Sequence, residues 1–150
     1  MKVLEHLSAE LEKAHLGDAW HGPSVSDALA GLDAAAASRR PLAAAHNIRE
    51  IVHHLRVTDD LVRAHLTGAA AGQEDDWPAV AEIGEAAWQE ELTKLAASQL
   101  ALRQAVAALP EAALFSLIPG KELTYAAEIF GILHHDLYHA GQISLLRKAS

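Results

Sequence analysis

The sequence predicts an all-α protein, a four-helix bundle with one short extra helix after the first long helix. Three observations predict it. Alanine, leucine and glutamate dominate while continuous β-branched runs are absent, a composition that favours helix over strand. Apolar residues recur at helical spacing in four long stretches, each of which presents one stripe to a core. Capping and breaking residues stand at the ends of those stretches. The chain has 150 residues, and a domain of that size buries roughly 70% of its unfolded surface. One core therefore suffices, and residues 1–150 are expected to form a single domain.

The first helix is expected from Val3 to Leu16, with Val3, Leu4, Leu7, Leu11 and Ala14 on its stripe, stopping at Gly17. Ser24 with Asp27 has the form of a capping box for a short helix through Leu29, followed by alanine-rich chain up to Arg40-Pro41. The second long helix starts after Asn47, which caps it together with Glu50, and runs to Thr67 before Gly68. An acidic loop from Ala69 to Pro78 follows. The third helix, expected from Val80 to Leu109, carries Trp88, Leu92, Leu95, Leu102 and Val106 and is closed by Pro110. Thr124 caps the last helix, Tyr125 to Ala149. The connections are long enough to permit a crossover topology.

Composition excludes several functions. With no cysteine there are no disulfides, thiolate metal sites or cysteine nucleophiles. A formal net charge of -8 argues against nucleic acid, because phosphate binding needs clustered Lys and Arg. The only paired basic residues are Arg39-Arg40 and Arg147-Lys148. The first residues reach Glu5 and His6 before any apolar run, unlike a signal peptide, and no stretch has the ~18 apolar residues of a membrane span. A cytoplasmic protein without membrane contact is expected.

Ten histidines make the last helix the most informative stretch. His135 and His139 stand four residues apart, which stacks two imidazoles on one face about 6 Å apart along the axis. Two imidazoles so placed can close on one divalent ion if a third ligand arrives from elsewhere. At this histidine density the pair by itself is a weak motif. Summed at about 100° per residue, the apolar positions Ile48, Ile51, Val52, Leu55, Leu61, Val62 and Leu66 place His54 nearer the centre of the second helix's stripe than His53. The same sum puts His135 and His139 at the edge of the last helix's stripe, beside Ile132 and Leu146. All three fall where a bundle interior meets an opening. A histidine at such an edge is also commonly a hydrogen-bonded structural residue. That is the expectation for His6, His15, His21, His46, His53 and His65, unless they face solvent. His65 lies on nearly the same face as His54, but roughly 16 Å of rise forbids a shared ion.

The run His135-Asp136-Leu137-Tyr138-His139-Ala140-Gly141-Gln142-Ile143, ending in Leu146-Arg147-Lys148, resembles the last helix of the DinB/YfiT-like superfamily. Ile48-Arg49-Glu50-Ile51-Val52-His53-His54-Leu55 resembles its second helix, and Trp20-His21-Gly22-Pro23-Ser24, Trp77-Pro78 and Trp88 match further stations. The resemblance covers nearly the whole chain. It implies a four-helix bundle that holds one divalent metal through His54, His135 and His139, the trio that the helical arithmetic favours. A slip of one residue would substitute His53. It also implies a homodimer and, in some members, transfer of low-molecular-weight thiols to electrophiles.

A nitrogen set without thiolate suits zinc or nickel, with iron or manganese also possible. Such an ion lowers the pKa of a bound water or thiol and polarises an oxygen. Gly131, one turn before His135, is expected to leave space there. Gln142 and Glu128 lie on the side that could reach a ligand, and Tyr138 and Asp136 are candidates to support the ligands. The expectation is a metal-dependent thiol transferase. The alternatives are a metal-dependent hydrolase and a non-catalytic, stress-linked metal-binding or interaction protein.

Overall fold

The computed structural model describes residues 2–78 and 84–149. Among them are four long helices, α1 (Val3–Leu16), α4 (Ile48–Thr67), α5 (Glu85–Ala108) and α6 (Tyr125–Lys148), and two short ones, α2 (Val25–Leu29) and α3 (Ala34–Ser38). No described residue forms a strand, so the expected all-α class holds. No described helix is long and apolar enough to cross a membrane.

The caps act where the sequence puts them. The Ser24 side chain accepts from the Asp27 amide while the Asp27 carboxylate accepts from Ser24. Asn47 and Glu50 exchange the same pair of bonds, each at 2.9 Å, satisfying two amides that the first turn of α4 would leave bare. Gly68 ends α4 with φ 72°, a left-handed conformation that costs glycine little. α3 is an addition to expectation. Asp33 caps it by accepting from the Ala36 amide at 2.7 Å, which turns part of the alanine-rich connector into helix. α5 begins after Gly84, and the expected helical start at residues 80–83 lies outside the described residues.

The core divides into two apolar clusters, and their membership fixes the topology. One joins Ile48, Ile51, Val52 and Leu55 of α4 to Trp88 and Leu95 of α5, Ala140, Ile143 and Leu146 of α6, and residues of α2 and α3. The other joins Leu4, Leu7 and Leu11 of α1 to Val62 and Leu66, Leu102 and Val106, and Ile129 and Ile132. The first halves of α4 and α5 thus share one end, and their second halves share the other. The two helices run parallel to each other and antiparallel to α1 and α6, a crossover bundle. After α4 the chain therefore turns back along the molecule. On that return Glu74, Asp75, Asp76 and Trp77 lie against α4: Arg56 pairs with Glu74, His53 bonds the Asp75 carbonyl, and the Trp77 ring stacks on His46 and His54.

Leu102 is fully buried in the second cluster. Leu102→Ala should lower unfolding free energy by about 2–5 kcal/mol, and Asn47→Ala by about 1 kcal/mol through the lost cap. Urea unfolding monitored by helical circular dichroism checks both, and the order of the two losses tests the assignment.

Candidate metal centre

His54 projects from α4 toward α6, where His135 and His139 stand one turn apart. The three ring centroids lie 4.8, 4.8 and 4.5 Å from one another, and one ligand atom from each ring falls within 4.8 Å of the others. His54 and His139 are buried and His135 is partly exposed. His53, one residue away, turns to the return segment instead, with its Nε2 2.9 Å from the Asp75 carbonyl oxygen. The 100° between neighbouring helical positions separates the two roles.

What faces each Nδ1 decides how the rings are protonated. His54 Nδ1 lies 2.6 Å from Asp76 Oδ1, His135 Nδ1 3.2 Å from Asp136 Oδ1, and His139 Nδ1 2.7 Å from Gln142 Oε1. Each partner atom is an acceptor, so each Nδ1 carries a proton, and in the neutral ring Nε2 is the nitrogen with a lone pair. His54 Nε2 and His135 Nε2 nevertheless approach to 2.8 Å. Two nitrogens at that separation are held by a shared proton or by a metal ion between them. Nitrogen ligands at the roughly 2.0–2.1 Å typical of zinc can be reached from these positions by small side-chain adjustment. The donor set fits a divalent ion.

The family model for the DinB superfamily matches residues 15–143. The chain belongs to the DinB superfamily. Members of this superfamily bind divalent metals, as the nitrogen-rich cluster of the present chain would allow. A crystal structure of a conserved protein from Enterococcus faecalis is similar in fold, with a TM-score of 0.79 at 19% identity, covering 99% of this chain and 97% of that one. No curated protein matches the chain.

Burial favours the neutral form of two rings in this DinB-superfamily cluster, His54 and His139. Burial, reinforced by the neighbouring His135, holds His139 down at about 4. Burial likewise lowers His54, against an opposing pull from Asp76. Neutral imidazole is the form that ligates a metal. Beside His54 and His135 opens a cavity of about 520 Å³. Val57 and Leu61 line it together with Thr58, while Asp60, Arg63, Glu74 and Asp76 supply its charged walls.

The supporting residues are partly those expected. Asp136 serves His135, and Gln142 serves His139 while donating to the Tyr138 hydroxyl at 2.9 Å, so Tyr138 stands one bond further out. Glu128 departs from expectation: it pairs with His65 at 2.5 Å, one end of the bundle away from the trio. A Cβ at Gly131 would meet nothing within 4 Å, so space is open there as expected. Asp76 and Trp77 were not foreseen as partners of the cluster. Helical periodicity carries no information about where a loop residue returns to the surface of a helix.

The depressed His139 makes a pH prediction for metal-free protein. Below about pH 6.5 the unfolded chain takes up a proton at His139 that the folded chain refuses until pH falls to about 4. The stability this group contributes is therefore complete above that window and is lost on acidification. In chelator-treated samples, wild type should lose stability relative to His139→Asn between pH 7 and 4.5. Paired urea titrations check this, and a pH-independent difference would count against a neutral buried ring.

Proposed function

We propose that this DinB-superfamily chain is a single-domain cytoplasmic metalloprotein in which His54, His135 and His139 hold one divalent ion, zinc or nickel before iron or manganese. We propose further that the ion activates a low-molecular-weight thiol for transfer to an electrophile. One observation carries the reading: a ring nitrogen from each of the three histidines converges while an oxygen acceptor faces every Nδ1. Three neutral ligands leave the full charge of the ion and at least one position free for substrate.

When bound, such an ion supplies Lewis acidity, lowering the pKa of a thiol or water and polarising an oxygen. The protein's part is orientation and exclusion of water. Asp76, Asp136 and Gln142 fix the three ring planes, and hydrogen bonds of this kind also raise the donor strength of imidazole. Trp77, stacked on His54 at a centroid distance of 4.0 Å, shields one side of the site. The cavity beside His54 and His135 supplies an apolar wall for the body of a substrate. A second reading, metal holding without catalysis, draws support from this same tryptophan cover.

Elemental analysis of untagged protein tests the site. About one ion per chain is expected in wild type and a large loss in His135→Ala; no ion in either after loading with zinc and nickel would remove the proposal. A cobalt-substituted sample separates the two readings. Thiol addition should shift the visible spectrum and support turnover of a model electrophile, whereas an unchanged spectrum would leave only metal holding.

A homodimer is proposed as well. Phe130, Tyr138 and Leu145 of α6 are 44%, 63% and 61% exposed and fall on one side of the helix. Covering such apolar surface is a common reason for pairing. Light scattering at micromolar concentration should give twice the chain mass, and a clean monomer would refute it.

A further inference from the structure

Between the two apolar clusters lies a second polar group, drawn from all four long helices: His15 of α1, Asp59 of α4, Arg103 of α5 and Asp136 of α6. His15, Asp59 and Asp136 are wholly buried, and one ligand atom from each lies within 4.8 Å of the others. Spacing alone would admit a second metal ion. The hydrogen bonds exclude His15 from that role. Arg103 Nη1 stands 2.9 Å from His15 Nδ1, and a guanidinium only donates. His15 Nδ1 is therefore the acceptor, and the ring carries its proton on Nε2, which donates to Asp136 Oδ2 at 2.7 Å. A ring engaged in this way has no lone pair left for an ion.

The bonds instead form a directed chain. Arg103 donates to His15, His15 donates to Asp136 Oδ2, and His135 donates to Asp136 Oδ1. One carboxylate thus takes one proton from the interior of the bundle and one from the metal centre. Asp59 stands beside it with both carboxylate oxygens unbonded. Burial and the charge of Asp136 push the Asp59 carboxyl well up, so it does not compete for the His15 proton.

We infer that His15, oriented by Arg103, is a positioning residue for the metal centre: it anchors the Asp136 carboxylate that aims His135 at the ion. The inference rests on the three-histidine reading and extends it through the bundle to α1. The reasoning is geometric. His135 is the most exposed of the three rings and sits next to Asp136 in sequence, and its bond to that carboxylate, at 3.2 Å, is the longest of the three at Nδ1. Its aim therefore depends on where Asp136 is pinned. Without the His15 N–H, Asp136 Oδ2 would be a bare anionic oxygen in a dry interior, which is costly enough to rotate the carboxylate toward another donor. The Arg103 guanidinium, which already reaches the His15 side chain, is such a donor, and turning toward it would draw the carboxylate away from His135.

Glutamine can replace both bonds of His15, since its amide oxygen accepts from Arg103 and its amide nitrogen donates to Asp136. Leucine has similar bulk and makes neither bond. Zinc affinity would be measured by competition with a chromophoric chelator for wild type, His15→Gln and His15→Leu, beside thermal unfolding of the metal-free proteins and the visible spectra of their cobalt forms. His15→Leu should bind about 10–100-fold more weakly and alter the cobalt spectrum, and His15→Gln should recover most of both. A folded His15→Leu that binds as tightly as wild type would overturn the inference, as would equal losses in the two variants. If His15→Leu fails to fold, Arg103→Met carries the test: weakened binding is expected, and unchanged affinity overturns the inference. Wild type that binds no metal would remove the three-histidine reading and this inference together. A loaded wild type beside an equally loaded His15→Leu removes this inference alone.

Discussion

The carboxylate of Asp136 is the point through which the rest of the structure is connected. It is fully buried, and an ion in that position is tolerated only with strong partners. It has two, one on each oxygen: His15 from α1 and His135 from its own helix. Arg103 on α5 supports the first. The layer these groups form separates the apolar cluster built on α1 from the one built on α2 and α3. Leucine and isoleucine contacts on either side are permissive about register, since hydrophobic burial has no direction. The polar layer is not permissive, because a sliding helix would strand a buried donor or acceptor. The bundle therefore has one register that satisfies its middle.

The second constraint is topological. With α4 and α5 parallel, the chain after α4 turns back along the molecule, and this described stretch lays Asp76 and Trp77 over His54. An up-and-down bundle with short turns would leave His54 without its acceptor and its aromatic cover. The three histidines are thus held unequally. His135 depends on a carboxylate sealed in the interior, His139 on a glutamine three residues along its own helix, and His54 on a half-exposed aspartate from a loop.

Legibility from sequence followed the same division. Helix ends were readable where a side chain closes its own backbone, as at Ser24, Asn47 and Thr124, because capping is local chemistry. The convergence of His54, His135 and His139 was readable from helical angles and from resemblance, since all three lie on long periodic helices. α3 went unseen because five residues of alanine-rich helix carry too little periodicity. Asp76 went unseen because the sequence does not say where a loop returns. His15 was read only as structural, and nothing in its neighbours Ala14 and Leu16 announces that it meets Asp136, 121 positions away. Glu128 was misplaced for a related reason: the helical angle gave its side of α6, but its partner is set by α4.

The unequal support of the three histidines bears on the proposed metal centre. The cavity opens beside His54 and His135, on the side where the loop contributes Glu74 and Asp76, while His139 is enclosed by helix. Rigid elements give precision and loops give access. In the proposed metal centre, three histidines backed by helices on one side and by a loop on the other would suit keeping an ion while admitting a second molecule. The loop's acidic residues are largely committed, Glu74 to Arg56 and Asp76 to His54. Displacing the loop would break both pairs and uncover Trp77. Entry from that side is therefore coupled to the orientation of His54, whereas the two ligands on α6 keep their aim. In the proposed centre the buried polar layer would steady His135, while His54 depends on the loop.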